Sequence, residues 1–151
     1  MNTYFLDTNI LVGYVRGSSF ARFVDQTYSP AAPPNLSYVS IVSKAELYAL
    51  TYIFNWGAQK KEMLETLLRK FPLADINHGK IIQRYAEIEA YSQNKLPNKP
   101  LPVSARNMSD NDKWIAATAS VLNATLLTMD HDFDHLNGVY LDVIYIDQNA
   151  A

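Results

Sequence analysis

The sequence predicts an α/β domain in which a short, mainly parallel sheet is covered by helices on both faces. Two observations carry this expectation. Short apolar runs of strand length alternate repeatedly with longer stretches whose apolar residues recur at helical spacing, the pattern of strand-helix-strand units. The chain of 151 residues also has the usual size of one domain, with neither an internal repeat nor a low-complexity segment. A single domain spanning residues 1–151 is therefore expected.

The elements follow in order. Tyr4-Phe5-Leu6 is a strand ended by Asp7-Thr8-Asn9, after which Ile10, Leu11, Tyr14 and Val15 mark a helix. Ser29-Pro30-Ala31-Ala32-Pro33-Pro34 breaks the chain before a second apolar run, Leu36 to Val39. This run feeds a long helix that begins near Ser40 or near Ser43. Ala58 to Phe71 is amphipathic, with Met63, Leu64, Leu67 and Leu68 on one face, and Pro72 stops it. A brief strand, Leu73 to Ile76, precedes a helix from about His78 to Gln93, with Ile81, Ile82, Tyr85 and Ile88 turned inward. Asn94 to Asn107 contains three prolines and little periodicity and reads as a long surface loop. Met108 to Leu122 is helical, Thr125 to Thr128 is a strand, and Tyr140 to Ile146 contains the closing strand.

Composition narrows the chemistry. The absence of cysteine removes disulfides, zinc-thiolate sites and thiol nucleophiles, which fits a reducing cytoplasm. No stretch reaches the ~18 uninterrupted apolar residues of a membrane span, and no basic leader opens the chain, so no membrane partner is expected. With 13 Lys and Arg against 15 Asp and Glu the net charge is −2, and no global positive field advertises nucleic-acid binding.

Four acids stand out by position. Asp7 and Asp130 directly follow strand candidates, so each reaches the carboxyl rim of the sheet, where ligands of open α/β sheets collect. Glu46 and Asp112 lie near helix starts that open at the same rim. Four carboxylates brought together repel one another unless a cation neutralises them, and oxygen-only donors suit Mg²⁺ or Mn²⁺. Phosphodiester hydrolysis is the reaction such a site favours. Once these four acids are assigned to the metal, 13 basic residues face 11 acidic ones, so the remainder of the chain carries +2.

Each acid also has a purely structural reading. Asp7-Thr8-Asn9 can cap the first helix, and Ser43-x-x-Glu46 is a capping box if the helix begins at Ser43; if it begins at Ser40, Glu46 lies inside it. Asp110 and Asp112 are two residues apart and point about 200° away from each other on a helix, so one of them faces the site. Asp112 is favoured because it shares a face with Ile115, Ala116 and Ala119. Asp130-His131-Asp132-Phe133-Asp134 imitates the start of a calcium loop, but His135 replaces the glycine and Leu141 the final glutamate. His131 and His135 have zinc-helix spacing without the accompanying glutamate or an obvious third ligand, and both read as exposed. Arg106 is the best single candidate for a phosphate contact. Tyr48, Tyr52, Phe54 and Trp56 form either a packing or a dimer surface, with core packing favoured.

Taken together, Leu6-Asp7-Thr8-Asn9, Val39-Ser40 leading to Ala45-Glu46-Leu47, Asn111-Asp112-Lys113-Trp114-Ile115-Ala116-Ala117, and Leu127-Thr128-Met129-Asp130 resemble, in order and spacing, a PIN-domain nuclease of the VapC toxin type. The resemblance runs from about residue 3 to residue 146. It implies a three-layer α/β/α fold, an acidic Mg²⁺/Mn²⁺ pocket, RNA cleavage, and inhibition by a cognate antitoxin protein. By motif position it implies Asp7, Glu46, Asp112 and Asp130 as metal-site carboxylates and Thr8, Asn9 and Thr128 as positioning residues. A homodimer is a further expectation. Two rival readings are a non-catalytic PIN-like binding module and a phosphatase with Asp7 as nucleophile; the second is disfavoured because Asn9 stands where the Asp-x-Asp pattern needs its second acid.

Overall fold

A computed structural model describes residues 1–151. Its sheet has five parallel strands in the order β3-β2-β1-β4-β5, where β1 is Thr3–Leu6, β2 Leu36–Ser40, β3 Leu73–Ala74, β4 Thr125–Thr128 and β5 Val143–Tyr145. The central strand β1 pairs with β2 on one side and β4 on the other, Leu6 standing opposite both Val39 and Leu127. The order reverses at β1, so a crevice opens beyond the carboxyl ends of β1 and β4.

Side-chain alternation along β1 divides the core into two layers. Tyr4 and Leu6 pack with Ile10, Leu11 and Val15 of α1 (Thr8–Arg16), Phe20 and Val24 of α2 (Ser19–Tyr28), Leu47 of α3 (Ile41–Ile53), and Leu64, Leu67 and Leu68 of α4 (Ala58–Leu68). Phe5 points to the other face, where Ile81 and Ile88 of α5 (Gly79–Ser92) meet Ile115, Ala116 and Ala119 of α6 (Asp110–Val121). The result is the three-layer α/β/α sandwich expected.

Several boundaries and orientations differ from the expectation, each for a local reason. The helix α1 ends where Gly17 adopts a left-handed φ of 66° and the Ser18 amide bonds back to the Gly13 carbonyl, a geometry that glycine enters without a Cβ penalty. A further helix, α2, follows immediately. Its ring at Phe20 packs so closely on α1 that a Cβ at Gly13 would lie 2.2 Å from ring carbons, which explains a glycine inside a helix. At the other end of this layer, α4 stops at Leu68 rather than Phe71, and Met63 is exposed while its expected partners are buried.

Strand β3 keeps only two residues, because the Asp75 side chain accepts the amides of Ile76 and Asn77 and turns the chain out of the sheet. Ile82 is exposed on α5. The proline-bearing segment 94–107 lacks regular structure, as expected. It is nonetheless tied down by buried Leu101, by the Leu101 amide on Asn94 Oδ1, and by the Arg106 amide on the Ser92 carbonyl.

The aromatic segment of α3 departs most. Trp56 enters the core, but Tyr48, Tyr52 and Phe54 are exposed, Tyr52 by 82%. The buried stripe of α3 is narrow, Ser43, Leu47 and Thr51 at four-residue spacing, and it leaves Ile41, Tyr48, Tyr52 and Ile53 on the outer side.

Candidate active site

Asp7, Glu46, Asp112 and Asp130 line one cavity of about 260 Å³ at the carboxyl rim of the sheet, together with Thr8, Asn9, Val12 and Leu50. Four separate segments deliver them. Asp7 and Asp130 arrive at the ends of β1 and β4, and the Asp7 amide bonds to the Leu127 carbonyl, which joins the two strand ends. Glu46 stands inside α3, because Ser40, not Ser43, caps that helix: the Ser40 hydroxyl accepts the Val42 amide. The capping-box reading of Glu46 therefore falls away. Asp112 comes from the first turn of α6, whose cap is Ser109.

A hydrogen-bond network fixes the carboxylates. Thr128 donates to Asp7 Oδ2 at 2.6 Å and accepts the Asp130 amide at 3.0 Å, so one buried hydroxyl spans two of the acids. The Thr8 amide donates to Asp7 Oδ1 at 2.8 Å. Asp7 thus caps α1 and lines the cavity at once. The Thr8 hydroxyl lies 2.7 Å from Glu46 Oε1 and 2.9 Å from Ser43 Oγ, linking α1 to α3. Asn9 Oδ1 accepts the Met129 amide at 3.4 Å and holds the segment leading to Asp130 against α1.

The electrostatics are those of a crowded acidic pocket. Asp7 is 4% exposed, and burial, with smaller contributions from Asp112 and Glu46, pushes its carboxyl up to about 7 despite the bonds from Thr128 and Thr8. Burial followed by the Asp130 charge pushes Asp112 up to about 6. Both shifts penalise the ionised carboxylates, a penalty that a bound cation would offset. The donor set is made of hard oxygens, and carboxylate oxygens of Asp112, Asp130 and Asp132 lie within 4.8 Å of one another, a spacing that fits a divalent ion.

Asp132 is an acid the sequence reading did not assign to the site. It is brought there by a 3₁₀ helix, His131–Leu136, in which the Asp132 amide donates to Asp130 Oδ1 and turns both carboxylates to one side. The same helix buries Phe133 and Leu136 and carries His135 inward with them. Contrary to expectation, His135 is half-buried, at 2.8 Å from Ser92 Oγ and parallel to the Tyr91 ring, whereas His131 is exposed.

Asp110 stands apart from the cavity. It is solvent-exposed, accepts from the Tyr85 hydroxyl at 3.0 Å and pairs with Lys113 Nζ at 3.1 Å. Lys113 is buried between Asp110 and Glu89, so it is a bridge from α6 to α5 rather than a free surface cation. Arg106 reaches the rim half-exposed, donating to the His131 carbonyl at 3.3 Å and pairing with Asp132 at 3.6 Å.

Comparison with known proteins adds three findings. A family model described as the PIN domain matches residues 4–139. Curated protein sequences give no match. Among solved structures, VapBC2 from Rickettsia felis, bound to a DNA fragment from their promoter, aligns with a TM-score of 0.76 at 23% identity over 96% of this chain and 99% of that one. VapBC-1 from nontypeable Haemophilus influenzae aligns with a TM-score of 0.67 at 23% identity, covering 95% and 97% of the two chains. VapBC-5 from Mycobacterium tuberculosis, a member of the VapBC family of toxin-antitoxin systems, aligns with a TM-score of 0.63 at 19% identity, covering 97% and 100%. At these identities the structural likeness establishes the fold.

Proposed function

The chain belongs to the PIN-domain family, and on that premise we propose that residues 1–151 form one metal-dependent endoribonuclease domain, the toxin of a toxin-antitoxin pair. The observation that carries the proposal is the convergence of Asp7, Glu46, Asp112 and Asp130 from four segments on one rim cavity. Asp7 and Asp112 are both raised toward neutrality, chiefly by burial and further by neighbouring carboxylates, an arrangement that a bound cation would stabilise.

In this reading Asp7, Glu46, Asp112 and Asp130 would hold Mg²⁺ or Mn²⁺. A bound divalent ion supplies Lewis acidity, lowering the pKa of a water and neutralising charge on the scissile phosphate. The residues of the chain do the positioning. Thr128 and the Thr8 amide fix the two oxygens of Asp7, the Thr8 hydroxyl orients Glu46, and Asn9 holds the approach to Asp130. Val12 and Leu50 form the apolar wall of the cavity. With water as the in-line nucleophile, a new P–O bond forms as the P–O3′ bond breaks; the substrate's 2′-hydroxyl takes no part, and the expected products carry a 5′-phosphate and a 3′-hydroxyl.

The direct test is cleavage of a single-stranded RNA with Mg²⁺ or Mn²⁺, before and after chelation, with analysis of the product ends. Cleavage that survives EDTA, or products ending in 2′,3′-cyclic phosphate, would exclude the mechanism.

The antitoxin partner is proposed from the same pocket and from the VapBC complexes that share the fold. A basic side chain entering the cavity would form charge-assisted bonds with the carboxylates that otherwise hold the ion. Antitoxin affinity is expected to fall with rising salt and to fall again in Asp7→Asn. Measured over a salt series for both proteins, unchanged affinity would exclude direct capture of the site and assign binding to apolar contacts elsewhere.

A homodimer is proposed on the outer side of α3, where Ile41, Tyr48 and Tyr52 recur at helical spacing as an exposed apolar stripe with exposed Ile53 beside it. A cytoplasmic location is proposed with the toxin role; no helix is long and apolar enough to cross a membrane.

A further inference from the structure

We propose that the stacked side chains of His131 and Tyr145 form a nucleobase platform beside the acidic cavity, on which a base of the single-stranded substrate continues the stack. The proposal rests on the ribonuclease reading and adds a substrate-positioning subsite to it. The two rings lie 3.8 Å apart between centroids with 18° between planes. Both are open to solvent, Tyr145 by 41% and the His131 side chain by 62%.

Topology explains why the pair stands at the site. Tyr145 ends β5 and is in register with Thr128 of β4, the residue that bonds to Asp7 and receives the Asp130 amide. His131 follows Asp130 directly. The platform and the carboxylates therefore occupy neighbouring strand ends of one rim.

The His131 ring is also held in place. His131 Nδ1 lies 2.8 Å from Asp134 Oδ2, and a carboxylate oxygen there requires the hydrogen on Nδ1, which sets the ring orientation. Arg106 donates to the His131 carbonyl and fixes the backbone beneath the ring, with its half-exposed guanidinium at the same edge. With one ring fixed by hydrogen bonds and the second stacked on it, the platform loses less conformational entropy on binding than two free side chains would.

Energetics supply the reason for such a platform. The net charge is −2 and the cavity is lined by carboxylates, so long-range attraction of phosphates is weak and substrate binding needs a neutral contribution. Base-aromatic stacking supplies it for any base, since every base has a π-face, and single strands leave those faces free.

The test uses Asp7→Asn as a background that binds without cutting, at one fixed salt concentration. Two fluorescent octamers are compared, a mixed-sequence oligoribonucleotide and a ribose-phosphate octamer lacking bases. The expected result is about tenfold tighter binding of the base-bearing strand. This preference should be lost in His131→Ala and Tyr145→Ala and retained in Tyr145→Phe, which keeps the ring. With Asp7 intact and Mg²⁺ present, the two alanine variants should raise KM for RNA cleavage with little change in kcat, a split that a general structural defect would not produce. Equal binding of the two octamers, or alanine variants that keep the preference, would overturn the platform. Base-dependent binding without metal-dependent cleavage would instead remove the nuclease reading and leave the platform standing; cleavage with KM unmoved in both alanine variants would do the reverse.

Discussion

Asp7→Asn is expected to lower metal-dependent RNA cleavage by about 10²–10³ or more while making the metal-free protein more stable near neutral pH. Both effects come from one buried charge. In the wild type the Asp7 carboxyl is raised from 3.8 to about 7, chiefly by burial, so the folded state binds its proton more tightly than the unfolded chain does. A raised acid contributes stability that is fully present below the unfolded value near 4 and is lost as pH rises through the folded value near 7. Metal-free wild type should therefore lose stability across that window. A shift of this size corresponds to at most about 4 kcal/mol, a sizeable part of a domain's total. The asparagine variant has no charge to desolvate and can still accept the Thr8 amide, so its stability should vary less with pH. Denaturant melts from pH 4 to pH 8, with and without Mg²⁺, read this directly: Mg²⁺ should raise the stability of the wild type at pH 7 and above and have a reduced effect on Asp7→Asn. Full cleavage by Asp7→Asn, or a stability difference between Asp7→Asn and the wild type that does not grow from pH 5 to pH 8 without metal, would refute the assignment.

Asp112→Asn is expected to cost about 10²–10³ in kcat, whereas Asp110→Asn should leave the rate within a factor of about two. The two acids belong to the same helical turn and differ only in direction. Asp112 faces the cavity with Asp7, Glu46 and Asp130, and its carboxyl is raised to about 6 by burial and by the Asp130 charge. Asp110 faces solvent, and its carboxyl is held below the usual range by bonds from Lys113 and Tyr85. Substitution at 110 should register as a small change in thermal stability, since Lys113 keeps Glu89 as a partner. Steady-state kinetics of the two variants at saturating metal decide the matter, and a reversed order would mean that the wrong face of α6 had been assigned to the site.

Which acids meet was legible because strand ends are visible locally. Tyr4-Phe5-Leu6 and Thr125 to Thr128 are short apolar runs, each followed by polar residues, and parallel strands that share an orientation bring such followers to one rim. Helical phase then separates Asp112 from Asp110, a matter of rotation per residue that needs no tertiary information. The motif order likewise pointed to the PIN family, which the match over residues 4–139 establishes.

What the tertiary structure decided are the contacts that link residues far apart in sequence. Nothing local distinguishes Ser40 from Ser43 as the cap of α3; docking on β2 makes Ser40 the last strand residue, and Ser43 is left to meet Thr8 instead. Nothing local tells that Lys113 is buried against Glu89, that Asp132 turns toward Asp112, or that His135 is drawn inward by Phe133 and Leu136. The exposure of Tyr48 and Tyr52 reflects how much of α3 its neighbours can cover, not the character of the residues. Periodicity and apolar runs are properties of the chain taken a few residues at a time, and they fix which elements form. The pairing of His131 with Tyr145, like the approach of Thr128 to Asp7, exists only once β1, β4 and β5 lie side by side.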